Sequence, residues 1–223
     1  MLKVLEIFDS IDGEGTRAGE LTTFVRLAGC NLHCKYCDTA YSIKPGNEFI
    51  QEFSVHDLVN LVKYRNVTVT GGEPLLQPET EEFCFKLAKL GHNVNVETNG
   101  TIIPPTRPAE ILDKVFYTVD YKCGASGHED QMKKEVFEPL MLDDVVKCVV
   151  GSKDDMKNAL ANLRSWIRGL GNETSPWVYF SPVFGKIEPA EIVKFMKEEN
   201  LEGKFRVQLQ LHKFIWDPRA RLV

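Results

Sequence analysis

Cys30, Cys34 and Cys37 crowd into one short, polar run with the spacing C-x3-C-x2-C. Thiolates are soft metal ligands, and iron–sulfur clusters are usually held by four of them. Three leave one iron with an open position, much as catalytic zinc keeps one for water or substrate. Three blander readings use the same residues. A structural zinc site would take His33 as its fourth ligand. Cys34 and Cys37 could form a C-x-x-C redox pair, which leaves Cys30 unexplained. The thiols could also be buried and structural, although their flanks are polar. The remaining cysteines fit no ligand spacing. Cys84 and Cys148 read as small buried residues, and Cys123, beside Lys122, stays open.

A second candidate is Gly71-Gly72-Glu73-Pro74. Two glycines permit unusual dihedrals and a close backbone approach to a ligand. Alone, such a run also reads as an ordinary turn.

Short β-rich runs that position these residues are expected at 23–27, 67–70, 94–97, 115–119, 145–149, 177–180 and 206–211. Helical periodicity falls between several of them. One helix begins near Val55 behind a capping box of Ser54 and Asp57. Others run from about 79 to 90, ending at Gly91, from 155 to 167, and from Pro189 to about 200. Alternating strands and helices imply parallel strands with right-handed crossovers, in a partial or complete β/α barrel or a flat doubly wound sheet. In both, chemistry sits at the carboxyl ends of the strands. The unusual residues fall there: the cysteines, then 70–74, 97–100, 120–122, 181–182 and 212–213.

The chain has 223 residues, 43% of them hydrophobic, which suits one domain over 1–223 with a cluster loop at 29–40 and a closing strand and tail at 205–223. Its net charge of −5 argues against a nucleic-acid partner. No apolar run approaches the roughly 20 residues of a membrane span. Glu6 and Asp9 interrupt any signal-peptide pattern, so a cytoplasmic location is the expectation.

C-x3-C-x2-C with an aromatic residue, Tyr36, before the last cysteine resembles the radical S-adenosylmethionine (SAM) superfamily, and 71–73 resembles its GGE motif. The resemblance implies a trimmed, partial (β/α) barrel and a 4Fe-4S cluster on Cys30, Cys34 and Cys37. It implies SAM chelated to the open iron and split by one electron to a 5′-deoxyadenosyl radical. Tyr36, Cys37, Asp38, Gly72 and Glu73 would lie against SAM. Three further runs, Ser10 to Gly15, Phe24 to Gly29 and Asp38-Thr39, are similar to the 7-carboxy-7-deazaguanine synthase family.

That resemblance implies ring contraction of 6-carboxy-5,6,7,8-tetrahydropterin with loss of ammonia, in 7-deazapurine (queuosine precursor) biosynthesis. It also implies Mg2+, a homodimer, and an electron donor such as flavodoxin. Ile11, Asp12, Gly13 and Glu14 match the substrate loop, Arg26 the arginine that pairs with the substrate carboxylate, Thr39 the magnesium ligand and Thr70 a substrate contact. Asp120-Tyr121-Lys122 stands where many relatives carry Ser-Pro-Lys beside SAM, and Ser181 matches a later SAM contact. Gln210 and His212 would face substrate from alternate positions of the closing strand. This chain departs from the family at Asp12, where glutamine is common. The rival within the superfamily is a glycyl-radical-enzyme activating protein, which would need a protein-docking groove in place of a pterin pocket.

Overall fold

The computed structural model describes residues 1–218 and 220–223. Within them, β1 (Leu2–Ile11), β2 (Leu21–Leu27), β3 (Gln51–Phe53), β4 (Asn66–Gly71), β5 (Asn93–Thr98), β6 (Val115–Tyr121), β7 (Val145–Val150), β8 (Trp177–Pro182) and β9 (Phe205–Val207) form one sheet. Its order is β3-β1-β2-β4-β5-β6-β7-β8-β9. β1 is antiparallel to both β2 and β3, whereas β2 and β4 to β9 are parallel neighbours. The edges do not pair, so the barrel is partial. Loop 12–20 of the first hairpin instead reaches the end of β9. The Leu211 amide donates to Gly13 O (3.0 Å), the Gly15 amide to Gln208 Oε1 (2.8 Å), and Gln208 Nε2 to Gly15 O (2.9 Å).

Parallel strands covered on both faces usually read as near-continuous apolar runs. These strands alternate instead. Val67, Val69, Val94, Val96, Val119, Tyr121, Val146, Cys148, Val178 and Phe180 belong to the apolar core, with Phe83, Leu87, Leu160, Leu163, Ile192 and Phe195 of the helices. The intervening positions carry Thr68, Thr70, Asn95, Glu97, Thr118, Asp120, Lys147 and Ser181. With a period of two, one face packs on helices and the other lines a polar interior.

The helices are α1 (Val55–Val59), α2 (Glu79–Lys89), α3 (Lys134–Phe137), α4 (Lys153–Trp166), α5 (Pro189–Glu198) and α6 (His212–Ile215). Ser54 and Asp57 make the expected cap: Ser54 Oγ accepts from the Asp57 amide (3.1 Å) and donates to its carboxylate (2.7 Å). Gly91, at φ +95°, stops α2. α4 starts earlier than the periodicity indicates, because Ser152 accepts from the Asp155 amide. Among the described residues no helix is long and apolar enough to cross a membrane.

Two expectations need correction. β1 was not anticipated, because Glu6 and Asp9 break its apolar pattern. Both acids have partners on β2, Glu6 with Arg26 and Asp9 with Thr23. The closing strand covers only Phe205–Val207. The chain then turns irregular, and His212 opens a helix. Gln210 and His212 therefore do not present by strand alternation.

Candidate active site

A cavity of about 700 Å³ opens at the carboxyl ends of β2 and β4 to β7, and Cys30, Cys34 and Cys37 all line it. Each thiol is free and half-buried. Cys30 Sγ accepts from the Leu32 amide (3.4 Å) and from Asn99 Nδ2 (3.6 Å). The Cys37 amide closes a turn onto Cys34 O (3.2 Å), and the Lys35 amide ties the loop to Ser126 O (3.0 Å). Thiols around one cavity, with Cys30 supplied with N–H donors, suit a cluster, whose sulfur ligands take such hydrogen bonds. They do not suit zinc. His33 is exposed, and among the described residues no three His, Cys, Asp or Glu side chains converge on one ion.

Gly71 and Gly72 serve this loop directly. A Cβ on Gly72 would fall 2.0 Å from Gly29 O and 2.9 Å from Cys30 Cβ, so only glycine lets β4 pass the first cysteine. Gly71 adopts φ +147° beside Leu27 O. Glu73, fully buried, accepts from Thr98 Oγ1 (2.8 Å), the Asn99 amide (2.6 Å) and the Leu75 amide (2.9 Å). Burial pushes its carboxyl up, against those hydrogen bonds. Its side chain does not line the cavity; Glu73 holds Asn99, and Asn99 meets Cys30.

The floor of the cavity is charged. Glu14 descends from loop 12–20 and Lys147 rises from β7; their charged atoms lie 3.3 Å apart. Lys147 also meets Asp120 (3.2 Å), which pairs with Lys122 (2.6 Å). Burial alone would lower the Lys147 amine, but Asp120, Glu14 and Glu97 outweigh it and hold it well above its usual range. Burial would likewise raise Asp120, but Lys122 and Lys147 hold its carboxyl below the usual range. Thr70 Oγ1 donates to Glu97 (2.8 Å) on the same face.

At the opposite wall Arg26 pairs with Glu6 through Nε (2.9 Å) and lies over the Phe8 ring. Tyr41 and Arg221 also donate to Glu6. Burial pushes Glu6 up, yet the hydrogen bonds from Arg221 and Tyr41 and the charge of Arg26 prevail and hold it low. Near the mouth, Thr39 Oγ1 sits 3.7 Å from Cys37 Sγ, and Asp38 pairs with Lys213 (3.4 Å). Lys213 donates to Gln210 (2.6 Å), which donates to Glu14 (3.2 Å). Burial pulls the His212 imidazole down, opposed by Glu14 and Asp38. Ala220 to Val223 fold over this mouth.

Most expected site residues therefore share one cavity: Ile11, Gly13, Glu14, Arg26, Tyr36, Asp38, Thr39, Thr70, Gly72, Asp120, Lys122, Gln210 and His212, with the three cysteines. Three more do not line it. Asp12 is buried beneath it, where it accepts from Thr68 Oγ1 (2.6 Å) and pairs with Arg17 (3.1 Å). Burial, against the Arg17 charge, pushes its carboxyl up to about 6. Its side chain anchors loop 12–20 to β4 through Thr68. Tyr121 faces the helices, packed at a tilt against Phe137 and Trp166, with its hydroxyl on Glu129 and Asn162. Ser181 faces inward but lies behind Glu14, to which it donates (3.3 Å). Glu97, in the run 97–100, lines the cavity as well, and so does Lys147, which the sequence reading passed over. The signal for Lys147 was present: it is a charged residue at an inward position of an otherwise apolar strand.

Comparison with known proteins agrees with this geometry. The Radical SAM superfamily profile matches residues 25–141. A 7-carboxy-7-deazaguanine synthase of Clostridium acetobutylicum is 39% identical over 223 residues, 98% of each chain. One from Methanospirillum hungatei is 38% identical, covering 97% of this chain and 86% of its own. The crystal structure of QueE from Escherichia coli superposes with a TM-score of 0.71 at 22% identity, covering 94% and 93% of the two chains, which establishes the fold. With a radical SAM cavity of this kind and full-length relatives at this identity, the chain belongs to the radical SAM superfamily and, within it, to the 7-carboxy-7-deazaguanine synthase family.

Proposed function

We propose that this cavity contracts the ring of 6-carboxy-5,6,7,8-tetrahydropterin to 7-carboxy-7-deazaguanine with release of ammonia, and that its residues divide the work as follows. The observation that carries the reading is the meeting, in one cavity, of three free cysteines with Arg26 on one wall and Thr39 at the mouth. Cys30, Cys34 and Cys37 would hold the 4Fe-4S cluster. Tyr36, Asp38, Gly72, Asp120 and Lys122 would hold SAM. When bound, cluster and SAM would supply the radical chemistry that acts on the substrate.

Arg26 binds the substrate carboxylate, because a planar guanidinium matches a carboxylate with two parallel hydrogen bonds. Its Nε is committed to Glu6, which fixes the plane of the group. Glu14 and Thr70 receive the polar edge of the pterin, and an ionised carboxylate accepts N–H donors there. Gln210, which donates to Glu14, and His212, which lies against Gly13, close the far side and exclude water. Thr39 would hold Mg2+ through its hydroxyl, with Asp38 beside it; a hard cation takes such oxygen donors and keeps several waters.

The magnesium role is tested by Thr39→Ala. The Mg2+ concentration for half-maximal activity should rise by about tenfold or more, with cluster content unchanged. An unchanged magnesium dependence would show that Thr39 is not the ligand.

The charged floor of Glu14, Lys147 and Asp120 favours a small polar substrate over a glycyl-radical protein. Turnover should therefore need no protein beyond a one-electron donor such as flavodoxin. The same reading includes a cytoplasmic homodimer, which sedimentation of the cluster-loaded protein would reveal.

A further inference from the structure

We propose that Lys147 is a positioning residue that joins the substrate side of the cavity to the SAM side, holding the carboxylates of Glu14 and Asp120 in place from between them. The inference rests on the function proposed above, in which Glu14 meets the pterin and Asp120 meets SAM.

β7 is otherwise apolar, with the sequence Val-Val-Lys-Cys-Val-Val. Val146, Cys148 and Val150 pack into the core, so Lys147 takes the opposite face and enters the cavity. A buried ammonium is costly unless it is paired. Lys147 Nζ lies 3.3 Å from Glu14 Oε2 and 3.2 Å from Asp120 Oδ1. Asp120 and Lys147 are register partners on adjacent strands, so the sheet itself fixes that contact. Glu14 comes from a loop, and its other contacts are the neutral donors Ser181 and Gln210. Other charged or titratable groups facing this cluster are Glu97 of β5, Lys122 after β6, Cys34 and Tyr36 of the cysteine loop and His212 of α6.

The two carboxylates are not equally dependent on Lys147. Asp120 retains Lys122 at 2.6 Å, whereas the cation on Glu14 is Lys147. Loss of Lys147 leaves Glu14, with only 9% of its side chain exposed, beside neutral donors. Removing one partner of a buried charged pair costs more than the pair is worth. The substrate side should therefore suffer more than the SAM side.

The test is a double-mutant cycle of Lys147→Gln and Glu14→Gln, with Lys147→Arg as the charge-conserving control. Binding of 6-carboxytetrahydropterin and of SAM is measured separately by anaerobic calorimetry on cluster-loaded, unreduced protein, beside KM and kcat. Lys147→Gln should raise the pterin Kd by roughly tenfold to a hundredfold. SAM affinity should change by less than about threefold, since Lys122 still holds Asp120. Lys147→Arg should recover most of the pterin affinity. In the Glu14→Gln background, Lys147→Gln should cost less than about threefold. Additive effects of the two substitutions, or unchanged pterin affinity in Lys147→Gln, would overturn the proposal. If Lys147→Gln does not fold, Lys147→Met, an uncharged side chain of similar length, reads the same coupling in the two backgrounds. A wild-type protein that binds pterin but forms no product counts against the proposed function, whereas one that turns over with an additive cycle counts against Lys147 alone.

Discussion

Cys34→Ala should abolish the cluster and product formation together. Two thiolates cannot replace three on a cluster that already leaves one iron without a protein ligand. Neither Cys84 nor Cys148 can substitute, because both are buried in the core on the helix side of the sheet. Iron and acid-labile sulfide content, together with visible absorption after anaerobic reconstitution, give the first readout. Product formation gives the second. Cys84→Ala is the control: it removes a thiol of the α2 core and should leave the cluster intact. Retention of wild-type iron content by Cys34→Ala would remove that residue from the ligand set.

Arg26→Leu should raise the substrate KM by on the order of a hundredfold, since truncating one side of a buried, hydrogen-bonded charge pair is costly. Lys at the same position keeps the charge but loses the planar fork, so Arg26→Lys should fall between. The fold should survive, because Glu6 keeps Tyr41 and Arg221 as donors when Arg26 is lost. Cluster content and reductive SAM cleavage should stay near wild type, which separates substrate binding from cofactor assembly. A pterin lacking the carboxylate supplies the internal check: wild type and Arg26→Leu should bind it equally. An unchanged KM for the natural substrate in Arg26→Leu would mean that Arg26 serves only its ion pair with Glu6.

Spacing made the chemistry legible before the fold. The three cysteines and the two glycines of 71–72 meet as expected, and Gly72 is glycine because Gly29 O and Cys30 leave no room for a Cβ. The strand–helix alternation also translated into parallel strands, because β4 to β7 each put two valines into the core. What escaped was orientation. Asp120 and Tyr121 are sequence neighbours, yet strand alternation sends one into the cavity and the other into the helices. The same alternation marks Lys147 as inward, although motif reading passes over it. β1 was hidden because its acidic residues serve partners on β2, which no single-strand pattern reveals. Asp12 could not be placed from sequence, since its role depends on Arg17 and on Thr68 of β4. The last turn was misread because Gln210 and His212 alternate like strand residues but sit in an irregular segment and a short helix.

The central claim is tested most directly by anaerobic assay of the reconstituted wild-type protein with SAM, reductant, Mg2+ and 6-carboxytetrahydropterin, with products identified by mass spectrometry. The account predicts 7-carboxy-7-deazaguanine and ammonia, formed without any protein substrate. A preparation with a full cluster and active SAM cleavage that leaves the pterin unchanged would contradict it.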